Sequence, residues 1–314
     1  MCKLLAATLI LALSASACWA WTIEDRANDE FPGRTIEFRH GGKLVAELIH
    51  GEGQYKPYLN VYDVEERRLT NPGMESDGEF YGRFPHHRGI FIGWNHVRTD
   101  LGSDDLWHLR SGEKMKVVSI EKKETTDDSA RLEVVIHWLS ADRDDEQEGL
   151  LLVENRSIEV SRVNDRTRID HKSKLTAARD LRLDGDLQHA GLHFRADAAV
   201  NDVRGDTRYL WAPAELSPGG GRIVSDELQW VNFRFPLHGQ WYSVTQLNPP
   251  ENRATELSWR DYGRFGFFFK DQLNKGDSRN VKGRFWVEKI SSAEEDDFVR
   301  ARAQRDYEAY LGGR

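Results

Sequence analysis

Hydrophobic residues recur at every second position along most of the chain. In the stretch RLEVVIHWL, Leu132, Val134, Ile136 and Trp138 fall on one face of an extended segment, which is the pattern of a half-buried β-strand. The acidic stretch that follows turns the chain, and residues 150–160 return as a second strand, so the two segments predict a hairpin. This alternation indicates a β-rich fold.

Similar short segments, separated by clusters of Gly, Pro, Asn and Asp, predict further strands at 34–39, 43–49, 57–63, 90–97, 115–122, 166–175, 187–196, 208–211, 241–247, 264–269 and 283–289. Many short strands with frequent turns are typical of a sandwich. Helical signals are convincing only near the end, where Ser292 and Glu295 form a capping box. We therefore predict an all-β fold, a two-sheet antiparallel β-sandwich of the jelly-roll or supersandwich type. Residues 21–314 would form a single domain with a C-terminal helix at 293–311.

The first twenty residues follow a different pattern. Lys3 precedes an apolar run and then small residues, SASACWA, which is the build of a secretory signal. We expect residues 1–20 to be a signal peptide and the protein to be exported, either periplasmic or secreted. Cleavage after Ala17 instead of Ala20 would make Cys18 the first mature residue and allow a lipid anchor. No later segment approaches the roughly 18 apolar residues of a membrane span, so we expect no transmembrane segment.

The composition narrows the class of partner. Both cysteines, Cys2 and Cys18, lie in or beside the predicted signal, so the mature domain has no disulfide to rely on. The formal net charge of −8 argues against nucleic acid, because phosphate binding requires a basic face. Ten tryptophans and nine tyrosines offer rings that stack on sugars, although most such rings in a β-protein belong to the core.

A row of polar residues marks the stretch DLQHAGLHFRA. Read as a strand, this stretch places His189, Gly191, His193 and Arg195 on one face and mostly apolar residues on the other. Exposed strand faces more usually carry Thr, Lys and Glu. The row therefore predicts a face that receives a ligand, and the alternative is an ordinary solvated sheet face.

The stretch RFPHHRGIFIGWNHV holds a second group of histidines. Pro85 is expected to keep Phe84 extended, and His86 and His87 then stand at the entrance of an apolar strand. Six of the eleven histidines fall in these two regions: His86, His87, His96, His108, His189 and His193. We predict that the two regions line a common cleft.

Histidines that converge in this way suit two kinds of chemistry. One divalent metal ion of unknown identity is a possible cofactor, with His86, His87 and His108 as its ligands, because neutral imidazole binds several transition metals. No spaced metal signature is present in the sequence. The same imidazoles would serve equally as general acid or base without a metal.

Several motifs resemble the PmoA-like family, a group of exported bacterial proteins of unknown function that is labelled as methane oxygenase. These are PHHRG with its apolar strand, RIDHKSKLTA, HAGLHFRA and WRDYGRFGFFF, and the similarity spans about residues 55–270 in the same order. The resemblance implies a context of polysaccharide and glycoside degradation. Positions that match its recurrent polar motifs are His86, His87, Arg88, Arg195, Arg260 and Tyr262. The chain departs from the family pattern at Gln188, His189 and Asn248.

The residue types then favour one reaction. A glycoside hydrolase normally needs two carboxylates that flank the bond, whereas these motifs offer His, Arg and Tyr. That set suits β-elimination at a uronic acid or an oxidised sugar, as in a polysaccharide lyase. The predicted catalytic residues are His189 or His193 as base and Tyr262 or a second histidine as proton donor. The predicted substrate-binding residues are Arg88, Arg195, Arg260 and Trp107.

Two alternatives stay open. The protein would be a non-catalytic glycan-binding or surface scaffold protein if its tryptophans supply stacking and its histidines are merely satisfied polar groups. It would be a metal-dependent glycoside hydrolase if the histidines hold a metal that activates water. In each case the expected partner is a polysaccharide or oligosaccharide.

Overall fold

A computed structural model describes residues 20–74, 79, 84–141, 146–291 and 295–313. The predicted signal peptide up to residue 19, with Cys18, lies outside the described residues, and so does Ser292 of the predicted capping box.

Most of the described chain is organised in three antiparallel sheets. The nine-stranded sheet has, in spatial order, β1 (Trp21–Ala27), β2 (Arg34–His40), β3 (Lys43–His50), β4 (Tyr58–Val61), β5 (Ile90–Trp94), β13 (Ala190–Arg195), β19 (Arg264–Phe268), β18 (Glu256–Arg260) and β15 (Arg222–Val224). The eight-stranded sheet has β14 (Arg208–Ala212), β16 (Trp230–Leu237), β17 (Gln240–Leu247), β21 (Ser278–Ile290), β11 (Arg166–Ala177), β10 (Leu150–Val163), β9 (Ser129–Leu139) and β8 (Lys114–Thr125). A small sheet has β20 (Asp271–Leu273), β12 (Leu181–Leu183), β6 (Val97–Thr99) and β7 (Gly102–Asp104).

The predicted all-β, antiparallel sandwich with a C-terminal helix is confirmed. The helix α2 (Asp296–Gly312) is preceded among the described residues by a short α-helix, α1 (Glu146–Gly149), and by three 3-10 helices at Ala198–Asn201, Arg204–Asp206 and Pro250–Asn252. The sequence pattern missed the small third sheet, because strands of three residues are too short to show alternation. No helix in the described part of the chain has the length and apolar character needed to span a membrane.

The core lies between the two large sheets. Leu132, Val134, Ile136 and Trp138 of β9 are all buried in it, as their alternation predicts. From the nine-stranded sheet, β5 contributes Trp94, whose ring lies 6.0 Å from that of Trp138. Side chains of both sheets therefore interdigitate in one hydrophobic cluster.

This core contains one buried ion pair. On β10, alternation directs Glu154 and Arg156 inward, and both side chains are essentially inaccessible to solvent. Arg156 donates from Nε to Oε1 of Glu154 at 2.7 Å and from Nη2 to Oε2 at 2.9 Å. The Trp138 indole also donates to Oε2 at 2.8 Å, and the Ser173 hydroxyl donates to Oε1. Burial disfavours the carboxylate, but Arg156 outweighs it and lowers the pKa of Glu154.

The other face of the nine-stranded sheet is the outer face, and loops cover its centre. Strand alternation directs Phe91 of β5 outward, where it forms a small separate cluster with Ile49, Tyr58 and Trp107. The loop that carries Trp107 approaches the sheet closely at Gly93. A Cβ atom on Gly93 would lie 2.4 Å from the carbonyl oxygen of Leu106.

We therefore expect Gly93→Ala to destabilise the protein by about 1–3 kcal/mol, the usual cost of overpacking. The methyl group would force the loop after β7 away from the sheet. Urea unfolding of Gly93→Ala and of the control Gly219→Ala measures this, since a Cβ atom on Gly219 meets nothing within 4 Å. Equal stabilities of the two variants would contradict the close approach.

Candidate functional site

A cleft of about 470 Å³ opens above the outer face, beside strands β5, β13, β19 and β18. Imidazole and guanidinium groups dominate its wall. Its imidazoles are His86, His87, His108 and His189, and its guanidinium groups are those of Arg110, Arg204, Arg260 and Arg264. Phe84, Gln188, Asp261 and Tyr262 complete the lining.

The cleft brings together the two histidine regions of the sequence. The ring of His86 lies 4.2 Å from that of His87 and 4.5 Å from that of His108. The ring of His108 lies 5.0 Å from that of His189. His96 does not take part, because it precedes β6 and is not among the lining residues.

Two of these histidines are each held by an aspartate three residues earlier. His108 Nδ1 lies 2.7 Å from Oδ2 of Asp105, and His189 Nδ1 lies 2.9 Å from both carboxylate oxygens of Asp186. A carboxylate at Nδ1 fixes the proton on that nitrogen and leaves Nε2 as the basic atom of the neutral ring. Both residues line the cleft, and the hydrogen bonds found for their rings among the described residues involve Nδ1 and leave Nε2 for a ligand.

Both aspartate carboxylates are held in place by backbone hydrogen bonds from the residues that follow them. Asp105 accepts backbone hydrogen bonds from Trp107 at 3.1 Å and His108 at 2.9 Å, and Asp186 accepts one from Gln188 at 2.8 Å. Burial disfavours each carboxylate, but the histidine and backbone donors outweigh it and lower the pKa of Asp105 and of Asp186.

The histidines differ in how strongly they hold a proton. Burial lowers the pKa of His189, and the hydrogen bond to Asp186 opposes this shift. Burial lowers the pKa of His86 to about 2. Burial also lowers the pKa of His87 far below its usual value. His86, His87 and His189 are therefore neutral near pH 7.

The three histidines predicted to bind a metal do not form a ligand set. His87 Nε2 accepts a hydrogen bond from the Trp107 indole at 3.0 Å, and the ring is 2% exposed. His108 spends Nδ1 on Asp105. Among the described residues, no group of three or more His, Cys, Asp or Glu side chains is arranged to hold a metal ion.

Two arginines at the cleft have exposed side chains. Arg110 forms no ion pair with any described residue, and Arg204 has only a long contact of 3.9 Å with Asp261. Arg264 is buried instead, and it donates to the carbonyl oxygen of Gln188 at 3.0 Å. Arg260 also donates a hydrogen bond to the side-chain oxygen of Gln188. Arg260 and Arg264 thus hold the turn that carries His189, whereas Arg110 and Arg204 are available to an anion.

The polar residues predicted on β13 lie on the expected face of the strand, but that face is not accessible to solvent. His193 and Arg195 do point away from the core, yet both are fully buried because loops cover them. His193 uses Nε2 on the carbonyl oxygen of Ala190 at 2.8 Å, and the Trp107 ring covers it at 4.8 Å. Burial lowers the pKa of His193 far below its usual value. His193 is therefore a supporting residue, and His189, which precedes the strand, is the one at the cleft.

Arg195, Arg88 and Trp107 are likewise buried and lie outside the lining of this cleft. Arg195 donates to the carbonyl oxygen of Tyr262 and stacks on its ring at 4.5 Å. Arg88 donates to Gln54 at 2.7 Å and to Pro85 at 3.1 Å. They support the walls of this cleft and do not line it, so their role in substrate binding stays a prediction. Arg260 and Tyr262 do line it.

Two loops at the cleft carry residues in the left-handed backbone region. Phe84 has φ +59° and Leu109 has φ +53°. The expectation that Pro85 keeps Phe84 extended is thus wrong. A non-glycine residue at positive φ costs roughly 1–3 kcal/mol and persists only where its surroundings enforce it. Here the Phe84 ring packs against Tyr262 at 5.1 Å.

The sequence analysis did not assign Asp105 and Asp186 the role of holding the histidines, and it did not select Arg110 or Arg204. A signal for the aspartates was present, because both pairs read Asp-Leu-x-His: DLWH ends at His108 and DLQH ends at His189. Arg110 stands on a loop and Arg204 begins a short 3-10 helix, and neither spacing nor periodicity marks them in the sequence.

Comparison with known proteins identifies the family. The model of a family of unknown function, DUF6807, matches residues 35–297. The resemblance to the PmoA-like family is therefore wrong, because PHHRG and HAGLHFRA lie inside the DUF6807 match. The polysaccharide context that the resemblance implied falls with it. No curated protein matches the chain.

Solved structures with a similar arrangement of strands have low sequence identity. A protein of Synechocystis sp. PCC 6803 gives a TM-score of 0.47 at 11% identity, covering 85% of this chain and 100% of the other. A galactose mutarotase-like protein of Clostridium acetobutylicum gives 0.44 at 10%, covering 86% and 99%. A galactose mutarotase related enzyme of Lactobacillus acidophilus gives 0.38 at 9%, covering 87% and 99%. Likeness at this level says nothing about activity.

Proposed function

We propose that this chain, which belongs to the family of unknown function DUF6807, is an enzyme that cleaves an acidic sugar chain by β-elimination. One observation carries the proposal: the rings of two aspartate-held histidines lie 5.0 Å apart in a cleft lined with arginines. Elimination needs a base, an acid and a counter-charge for the substrate carboxylate, and this arrangement provides all three.

The reaction assigns a separate task to each histidine. Neutral His189 takes the proton from the carbon next to the carboxylate through Nε2, and Asp186 stabilises the imidazolium that forms. The electron pair forms the carbon–carbon double bond as the glycosidic carbon–oxygen bond breaks. His108 in its protonated form donates its proton to the leaving oxygen, and no water is consumed. Tyr262, which also lines the cleft, is the second candidate donor.

The arginines supply the charge that the substrate carboxylate needs. A proton next to a carboxylate is removed more easily when cations neutralise the enolate-like charge. Arg110 and Arg204 have exposed guanidinium groups at the cleft. The arrangement favours an acidic substrate over a neutral one.

The same lining argues against a two-carboxylate hydrolase. Of the described residues that line the cleft, Asp261 alone carries a carboxylate. Asp105 and Asp186 are engaged by their histidines and stay ionised because their pKa is lowered. The ring of Phe84, which lines the cleft and is 37% exposed, offers a stacking surface of the kind that sugars use.

A panel of uronate-rich polysaccharides and neutral controls tests the proposal. We expect the protein to release products with the absorbance of an unsaturated uronic acid from at least one acidic glycan and from none of the neutral ones. Binding without product across the whole panel would favour a non-catalytic glycan-binding protein instead.

Replacing Arg110 by glutamine should weaken substrate recognition. The loss of a charge-assisted hydrogen bond, about 1.5–3 kcal/mol, lowers kcat/KM roughly 10- to 100-fold, mainly through KM. Steady-state kinetics at two salt concentrations measure this. Arg305→Gln, an exposed arginine on α2, is the matched control. Equal kcat/KM in the two variants would show that Arg110 does not bind substrate.

A further inference from the structure

A second cavity, the side cavity, adjoins the cleft. It measures about 330 Å³ and shares three lining residues with the cleft: His86, His108 and Arg110. Its other walls include Tyr55, Lys56 and Arg88. The side cavity is therefore reached from the region of the two aspartate-held histidines, and it adds an amine that the elimination does not use.

Lys56 is unusual for a lysine because it is 2% exposed. Its Nζ donates to the carbonyl oxygen of Trp107 at 2.8 Å and lies 4.4 Å from the centre of the Phe91 ring. The described residues include no ion-pair partner for it. The amine thus sits among aromatic rings and imidazoles without a counter-ion.

Burial without a counter-ion favours the uncharged form of the amine. The aromatic face stabilises an ammonium, but burial of an ammonium without an ion-pair partner costs more than this contact supplies. Burial, followed by the positive charge of Arg88, lowers the pKa of Lys56 well below its usual value, and Asp105 opposes this only in part. A neutral amine is a nucleophile, and a lysine desolvated in this way is the kind that attacks carbonyl groups.

We propose that Lys56 forms an imine with a small oxo-acid that enters the side cavity. The aldehyde or ketone carbon would meet the buried amine, and the acid group would bind the exposed guanidinium of Arg110, which lines the same cavity. This activity does not depend on the proposed elimination, because it needs neither a uronate nor His189.

The step balances without an oxidant or reductant. The Lys56 nitrogen attacks the carbonyl carbon, and a proton moves from nitrogen to the former carbonyl oxygen. The carbon–oxygen bond then breaks as the hydroxyl group takes a second proton from nitrogen and leaves as water, and the carbon–nitrogen double bond forms. His86 and His108 line the cavity where these protons move.

Reductive trapping with glyoxylate tests the proposal. The full chain is incubated with glyoxylate and cyanoborohydride at about pH 6, where exposed lysines, with a pKa near 10.4, are almost fully protonated. The labelled protein is then digested and mapped by mass spectrometry. We expect Lys56 to acquire a carboxymethyl group at least about tenfold faster than exposed lysines such as Lys123.

Variants supply the control. Lys56→Met should lose the fast label, and Lys123→Met should keep it. The label map of the protein without substitutions tests the proposal even if Lys56→Met fails to fold. A label spread over exposed lysines, with Lys56 no faster than Lys123, would overturn the proposal and would leave the elimination untouched.

Discussion

His189→Asn is expected to reduce kcat for uronate elimination by about 10²–10⁴-fold, the contribution of a positioned general base. Asparagine retains a polar group for Asp186 but cannot accept a proton from carbon. Because the histidine acts on the chemical step, the loss should appear in kcat more than in KM. The measurement is the rate of product absorbance with the acidic glycan that the panel identifies.

His96→Asn is the matched control for this substitution. His96 is half-buried and comes from the same group of histidines in the sequence, but it does not line the cleft. Its replacement should leave kcat within about twofold of the unmodified protein, as is usual away from a site. A similar loss of kcat in both variants, or in neither, would remove His189 from the reaction.

The pH dependence follows from the direction of the shift. Since burial lowers the pKa of His189, its neutral, basic form persists below the usual pKa of about 6.5. Activity should therefore survive mild acidification and fall only when the pH drops below that lowered pKa. Asp186→Asn removes the opposing hydrogen bond, so the acid limb should move to lower pH as the rate decreases.

Arg156→Met should reduce the free energy of unfolding by about 3–5 kcal/mol, because it leaves the Glu154 carboxylate buried without its cation. In the middle of the sandwich, Nε and Nη2 of Arg156 each donate a hydrogen bond to the Glu154 carboxylate. Urea unfolding monitored by tryptophan fluorescence gives this energy. Arg305→Met, on the exposed side of α2, should change it by no more than about 0.5 kcal/mol.

The double variant Glu154→Leu/Arg156→Met separates the ion pair from the space it fills. Removal of both charges should restore much of the lost stability, since an apolar pair of similar volume often replaces a buried ion pair at little cost. If Arg156→Met loses less than about 1 kcal/mol, the carboxylate finds other partners and the account of this pair is wrong. Because the pKa of Glu154 is lowered, its contribution is present above the unfolded-state pKa and is lost as the pH falls through the lowered value.

How far the sequence predicts this structure depends on the range of the interactions. Alternation is local, so the inward set Leu132 to Trp138 and the opposite facing of Leu192 and His193 follow from strand geometry alone. Whether a polar strand face is open or covered depends on distant segments. The Trp107 loop covers His193 from more than eighty positions earlier in the chain, and nothing in HAGLHFRA signals it.

The candidate site likewise contains residues that a local sequence pattern marks and residues whose role depends on distant segments. His86, His87, His108 and His189 could be selected because histidines were dense in two segments, and the fold then places these segments side by side. Arg88 and Arg195 were selected for their charge, but both are buried and form hydrogen bonds that support the walls of the cleft. Arg110 and Arg204 were missed because an isolated arginine outside the strands belongs to no periodic pattern.

The mass of the product formed from an acidic glycan tests the central claim most directly, which is that facing histidines in an arginine-lined cleft carry out an elimination. Hydrolysis adds one water to the sum of the fragments, and elimination adds none. The account predicts fragments whose masses sum to that of the substrate, with one end unsaturated. Fragments that contain an added water, or an acidic glycan panel left intact, would contradict it.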